Sequence, residues 1–117
     1  MHEMGIALEI IRIASASIPA DMKDARVQRV NLKVGKLSAV VPESLTFCFE
    51  VARRETPLEG AHLVIEEIPV EGRCKACGHQ WRVDTPSFVC PHCDSGEIEM
   101  LSGRELDIVS IEIAEED

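Results

Sequence analysis

The chain has 117 residues, 45% of them apolar, and a formal charge of −9. That length and apolar share suit one modest core, or one domain with a small insertion, and exclude global disorder. The acidic balance weighs against a nucleic-acid binder, which needs a basic stripe, and no apolar run approaches the ~20 residues of a membrane span.

The first three residues, Met1-His2-Glu3, place an acidic group where a secretory signal would be basic, so a cytoplasmic protein is expected. His2 is too large to favour removal of the initial methionine, which leaves a free α-amine on Met1. That amine, the backbone nitrogen of His2 and its imidazole Nδ1 close two adjoining chelate rings, a donor set suited to Ni(II) or Cu(II). Glu3, a group from elsewhere or water could fill the fourth position. On spacing alone, an incidental histidine at a chain terminus is the more economical reading.

From Met4 to Ile18, Ile6, Ala7, Ile10, Ile11, Ile13, Ala14 and Ile18 recur at helical intervals, and Pro19 ends the stripe. Arg26 to Val34 alternates, with Val30, Leu32 and Val34 on one face and Arg29, Asn31 and Lys33 on the other, which predicts a half-buried strand ending at Gly35. Pro42 suits a first helical position and Glu43 the positive end of the helix dipole, so a second helix is predicted from Pro42 to about Arg54. Leu45, Cys48, Phe49 and Ala52 share its apolar face, where Cys48 is expected as a buried small hydrophobe and not a redox thiol. His62 to Ile68, between Gly60 and Pro69, reads as a second strand. His62 reads as a surface histidine, and Glu66-Glu67 has no partner that would make a catalytic dyad.

Cys74, Cys77, Cys90 and Cys93 follow in the pattern C-x2-C-x12-C-x2-C, which points to a four-thiolate zinc site, with Gly78 permitting a tight turn after the first pair. Such a closed shell leaves no position for water or substrate, so the zinc is expected to be structural. His79 and His92 lie close enough to exchange with a thiolate or to donate to one, although exposed polar residues are the simpler description. The segment from Glu71 to Gly103 carries few aliphatic residues, and Gln80–Val83 and Glu97–Met100 are expected as its short strands. Leu106 to Ile113 is a last strand, whose change of face near Ile108 and Val109 signals a bulge or two-sided burial. Residues 115–117 are expected to be a frayed acidic tail.

The expected fold class is α+β: a small mixed three-stranded sheet with two helices, plus an inserted four-cysteine zinc-ribbon domain. The boundaries are 1–70 and 104–117 for the α/β domain and 71–103 for the insert.

Taken in order, M-H-E, "VNLKVGKLSAV", "PESLTFCFE", "GAHLVIEEIP", the two C-x2-C pairs and "LDIVSIEI" closely resemble the HypA/HybF family of hydrogenase maturation proteins. The resemblance implies a nickel metallochaperone for NiFe-hydrogenase assembly, not an enzyme, with Ni(II) as transferred cargo. It assigns nickel to Met1, His2 and Glu3, with His2 the essential side chain, and zinc to Cys74, Cys77, Cys90 and Cys93. Implied partners are the nickel-handling GTPase HypB and the hydrogenase large-subunit precursor; a homodimer is a further candidate, and neither nucleic acid nor membrane is expected. The alternatives are a zinc-ribbon interaction module without nickel transfer and a small zinc hydrolase, the latter disfavoured by the closed shell.

Overall fold

The computed structural model describes residues 3–22, 24–85 and 87–114. Helix α1 spans Glu3–Ala16, and a 3-10 turn at Ala20–Met22 leads into β1, Arg26–Gly35. Helix α2, Pro42–Ala52, is followed by β2 (His62–Ile68), β3 (Glu71–Cys74), β4 (Gln80–Arg82), β5 (Ile98–Ser102) and β6 (Leu106–Ala114). Residues 115–117, expected to form a tail, lie outside the described residues.

In α1, Ala7, Ile10, Ile11 and Ala14 are buried, the spacing of a single helical face. Ile13, counted in the predicted stripe, sits on the flank and is partly exposed. The helix also stops before the predicted Ile18. A residue preceding proline is driven out of the α region, and Ser17 donates both its N–H and its Oγ–H to the Ile13 carbonyl. Pro42 takes the first turn of α2 as expected, and Leu45 and Phe49 are fully buried. This helix ends at Ala52, two residues early. Cys48 is half-buried against the core, where full burial was expected.

The first sheet has the order β2-β1-β6, so the strand that comes first in the chain is central. β2 joins β1 in parallel, from Arg29↔His62 to Gly35↔Ile68, a pairing that needs a crossover, and α2 lies within that connection. β6 pairs with β1 antiparallel, and its register steps from Asn31↔Ser110 to Leu32↔Ile108. Val109 is therefore the bulged residue, exposed and unpaired, which accounts for the face change read from the sequence. The helices cover one face, where Val30, Leu32 and Val34 meet Ala7, Ile10, Leu45 and Phe49. On the opposite face Asn31 donates to Ser110 and Glu112, which also lies 3.6 Å from Arg29.

A second sheet, order β4-β3-β5, is antiparallel throughout. Its outer strands fall near the two expected ones. The central β3 was not anticipated, because four residues with a glycine among them carry no readable alternation. Chain passes between the sheets at 69–70 and 103–105, where the packing is tight. A Cβ on Gly35 would lie 2.1 Å from the Gly103 carbonyl oxygen, and that oxygen accepts from Leu37 N at 2.7 Å. The molecule extends 59 × 26 × 17 Å with a radius of gyration of 18.2 Å, against about 13 Å for a compact chain of ~100 residues. It is elongated. Among the described residues, no helix is long and apolar enough to cross a membrane.

Candidate metal centre

The cysteines arrive in two turns built alike. In the first, β3 ends on Cys74, Cys74 N donates to His79 O, and Gly78 N donates back to Cys74 O, each at 2.8 Å. In the second, Cys90 N donates to Ser95 O and Asp94 N to Cys90 O, each at 2.9 Å. Gly78 and Asp94 occupy the same place in the two turns and both have positive φ, 81° and 63°. Glycine enters that region freely, and aspartate is among the few other residues that tolerate it. The sequence reading singled out Gly78 and missed Asp94. Counting four residues from the first cysteine of each pair finds both.

The turns aim backbone N–H groups at sulfur. Cys90 Sγ accepts from His92 N at 3.4 Å. Backbone donors from Cys77 and Ala76 serve Cys74, that of His79 serves Cys77, and that of Ser95 serves Cys93. Each cysteine thus draws on the residue two positions later, an arrangement that favours thiolate.

The structure brings together all four predicted sulfurs. Cys74 Sγ and Cys93 Sγ are 3.5 Å apart, Cys77 Sγ and Cys90 Sγ 3.7 Å, and all four lie within 4.8 Å of one another. A disulfide needs about 2.05 Å and is excluded. Zinc–thiolate bonds of about 2.3 Å set sulfurs roughly 3.8 Å apart along each edge of a tetrahedron, so the donor set fits a four-coordinate ion. Cys74 and Cys90 are buried, while Cys77 and Cys93 face solvent.

Ionisation is uneven across the cluster. The Cys77 backbone N–H, aided by the Cys93 and Cys77 thiols and the Ala76 N–H, outweighs burial and lowers Cys74 to about 6. The Ser95 N–H pulls Cys93 down, but Cys74, burial and the other two thiols push it up to about 12. At Cys77 the His79 N–H likewise favours thiolate, yet burial and its neighbours Cys74 and Cys90 leave it raised. Sulfurs this close cannot all hold negative charge without a cation, and the first thiolate opposes the next.

His79 and His92 stand outside the sulfur cluster. Their rings stack at 5.3 Å, and His79 stacks in turn on Trp81 at 5.7 Å, forming an aromatic column that links the two turns. Both histidines are exposed, in line with the simpler reading.

Of the predicted nickel residues the structure describes Glu3; Met1 and His2 lie outside the described residues. Glu3 opens α1, where a carboxylate complements the helix dipole, and its Oε2 accepts from Val41 N at 3.3 Å. Val41 is the N-cap of α2 and has no side-chain cap of its own. The starts of the two helices therefore meet at this carboxylate, across 38 residues of sequence.

The family model described as "Hydrogenase/urease nickel incorporation, metallochaperone, hypA" matches residues 1–113. The chain is 59% identical over 115 residues to the hydrogenase maturation factor HypA of Desulfosudis oleivorans, covering 98% of this chain and 100% of the relative. To that of Desulfatibacillum aliphaticivorans it is 50% identical, covering 98% and 88%. Among solved structures, the solution structure of the Ni metallochaperone HypA from Helicobacter pylori matches with a TM-score of 0.65 at 28% identity, covering 99% of this chain and 100% of that one.

Proposed function

The chain belongs to the HypA family of nickel-incorporation metallochaperones, and on that premise we propose that it carries Ni(II) at Met1, His2 and Glu3 for NiFe-hydrogenase maturation. It is a carrier and not an enzyme, as its family is. The observation that carries the nickel assignment is a family match that begins at residue 1 and so takes in the M-H-E start. Relatives named for hydrogenase maturation support that client.

Transfer proceeds by ligand exchange. The Met1 amine, the His2 backbone nitrogen and the His2 imidazole supply three nitrogen donors, and Glu3 contributes a carboxylate next to them. A site built largely from two terminal residues lets a partner's donors replace them one at a time. Enclosure in a core would make release slow. Partners in this reading are the GTPase HypB and the hydrogenase large-subunit precursor, met in the cytoplasm.

Zn(II) is the ion proposed for Cys74, Cys77, Cys90 and Cys93, in a domain of zinc-ribbon type spanning 71–103 and inserted into a nickel-binding domain of 1–70 and 104–117. The near-tetrahedral sulfur spacing supports zinc. Support for the boundaries comes from the buried core cluster, every member of which lies outside 71–103. Zinc here supplies a cross-link and no reactive position. The chain's own part is to point backbone N–H groups at the sulfurs and hold the two turns face to face.

The test is nickel titration of the untagged protein beside its His2→Ala variant, with zinc measured in both. One nickel per chain should be bound by the first and lost by the second, with zinc unchanged. Stoichiometric nickel retained by His2→Ala would remove the assignment.

A further inference from the structure

Among the described residues the first sheet has two free edges, and they differ. Along β6 the bulge at Val109 interrupts the strand, a common way of blunting an edge against further pairing. Along β2 seven residues run in unbroken register with β1 and carry no bulge. β2 is the edge still regular enough to accept another strand.

Beside that edge runs a groove of about 370 Å³, lined by Glu43, Phe47 and Glu50 of α2 and by Leu63 and Ile65 of β2. Phe47 overhangs it and is 66% exposed, the most exposed of the large apolar side chains among the described residues. Leu63 and Ile65 are half-buried on the helix-covered face of the sheet. A strand laid along β2 would extend the sheet beneath α2 and carry alternate side chains into the groove under Phe47, completing their burial.

Charge selects the occupant. Glu43 and Glu50 flank the groove, Glu66 and Glu67 lie on β2, and none of the four forms a salt bridge with a described residue. Among the described residues no basic side chain lines the groove. A second copy, paired edge to edge about a two-fold axis, would gather both copies' carboxylates along one seam, and like charges brought together there are destabilising. An extended segment with basic residues between its apolar ones meets no such repulsion.

We propose that the free edge of β2 and the groove under Phe47 receive an extended, basic segment of a partner protein as an added strand. Main-chain hydrogen bonds to β2 supply affinity, while Phe47, Leu63 and Ile65 select apolar side chains and the carboxylates select cationic ones. This deepens the delivery step of the proposed function and rests on it for the purpose of docking. The surface uses neither the metal ligands nor the first three residues, so peptide binding and nickel binding fail independently.

The test is fluorescence anisotropy of a short labelled peptide of alternating valine and lysine, titrated with the full-length, zinc-loaded protein at physiological salt. Saturable binding is expected, with amide shifts in β2 and not in β6. Phe47→Ala, at an exposed position, should keep the fold by circular dichroism and weaken binding about tenfold. Reversing charge with Glu43→Lys and Glu50→Lys should abolish binding of the lysine peptide and confer binding of its valine–glutamate counterpart. No binding, shifts confined to β6, or indifference to both sets of substitutions overturns the proposal. Equal affinity for a peptide with proline at its centre overturns it too, since charge alone then explains the binding. So does a sedimenting dimer that Phe47→Ala dissolves, because the occupant is then a second copy.

Discussion

Removing the metal should melt β3, β4 and β5 and leave β2, β1 and β6 folded. Among the described residues between 71 and 103 the buried positions are Gly72, Cys74, Cys90 and Gly103, two of them sulfur donors and two without a side chain. The half-buried Trp81, Val83, Ile98 and Met100 are the main apolar groups left to hold the second sheet. Each would contribute about 1.5–3 kcal/mol even if buried completely. A four-thiolate zinc site contributes about 10–16 kcal/mol at neutral pH, more than four half-buried groups supply together. The first sheet keeps its own core of Leu45, Phe49, Val30 and their neighbours, a cluster that includes none of the four cysteines. Hydrogen exchange after chelation, with the thiols kept reduced, should show lost protection in the β3–β5 ladder and retained protection in β1. Persistent protection of β3–β5 in reduced, metal-free protein would refute the reasoning, and so would simultaneous loss in β1.

Gly35→Ala places a methyl 2.1 Å from a backbone oxygen and presses against the bonds Leu37 N to Gly103 O and Gly35 N to Glu105 O. Overpacking of about 1–3 kcal/mol and two hydrogen bonds at about 1 kcal/mol each give a loss of roughly 3–5 kcal/mol, read from urea denaturation at fixed zinc; an unchanged midpoint would mean that this close approach is not formed. Proton release on zinc binding should depend on pH. With Cys74 lowered to about 6 it is already thiolate at neutral pH, so metal uptake there releases fewer than four protons. As pH falls through 6, Cys74 gains a proton that the metal must displace, so the release rises by up to one proton and the apparent affinity falls more steeply. An indicator dye in weak buffer reads the count, and a release that stays flat across this range would contradict the assignment.

Several elements were legible because their signals are local. β2 falls where Gly60 and Pro69 bracket a β-branched run, α1 follows most of its own stripe, and the face change at Ile108 and Val109, which signals a bulge or two-sided burial, falls at the bulge. β3 was not legible. It exists because β4 and β5 pair on either side of it, and its four residues carry no pattern that would say so. The closeness of Gly35 to Gly103 and of Glu3 to Val41 was invisible for the same reason, since neither member of either pair reports its partner.

The spacing of four cysteines was enough to name a metal-binding set, because each C-x2-C pair forms a turn whose geometry depends on a few consecutive residues. The donors proposed for the M-H-E start likewise lie within a few consecutive residues. Tertiary structure decided the rest: that the two turns meet with their sulfurs within 4.8 Å, that Asp94 copies the backbone of Gly78, and that the strand left open beside Phe47 is β2 and not β6. These depend on which strands pair and in what register, and that is settled by burial across the whole chain.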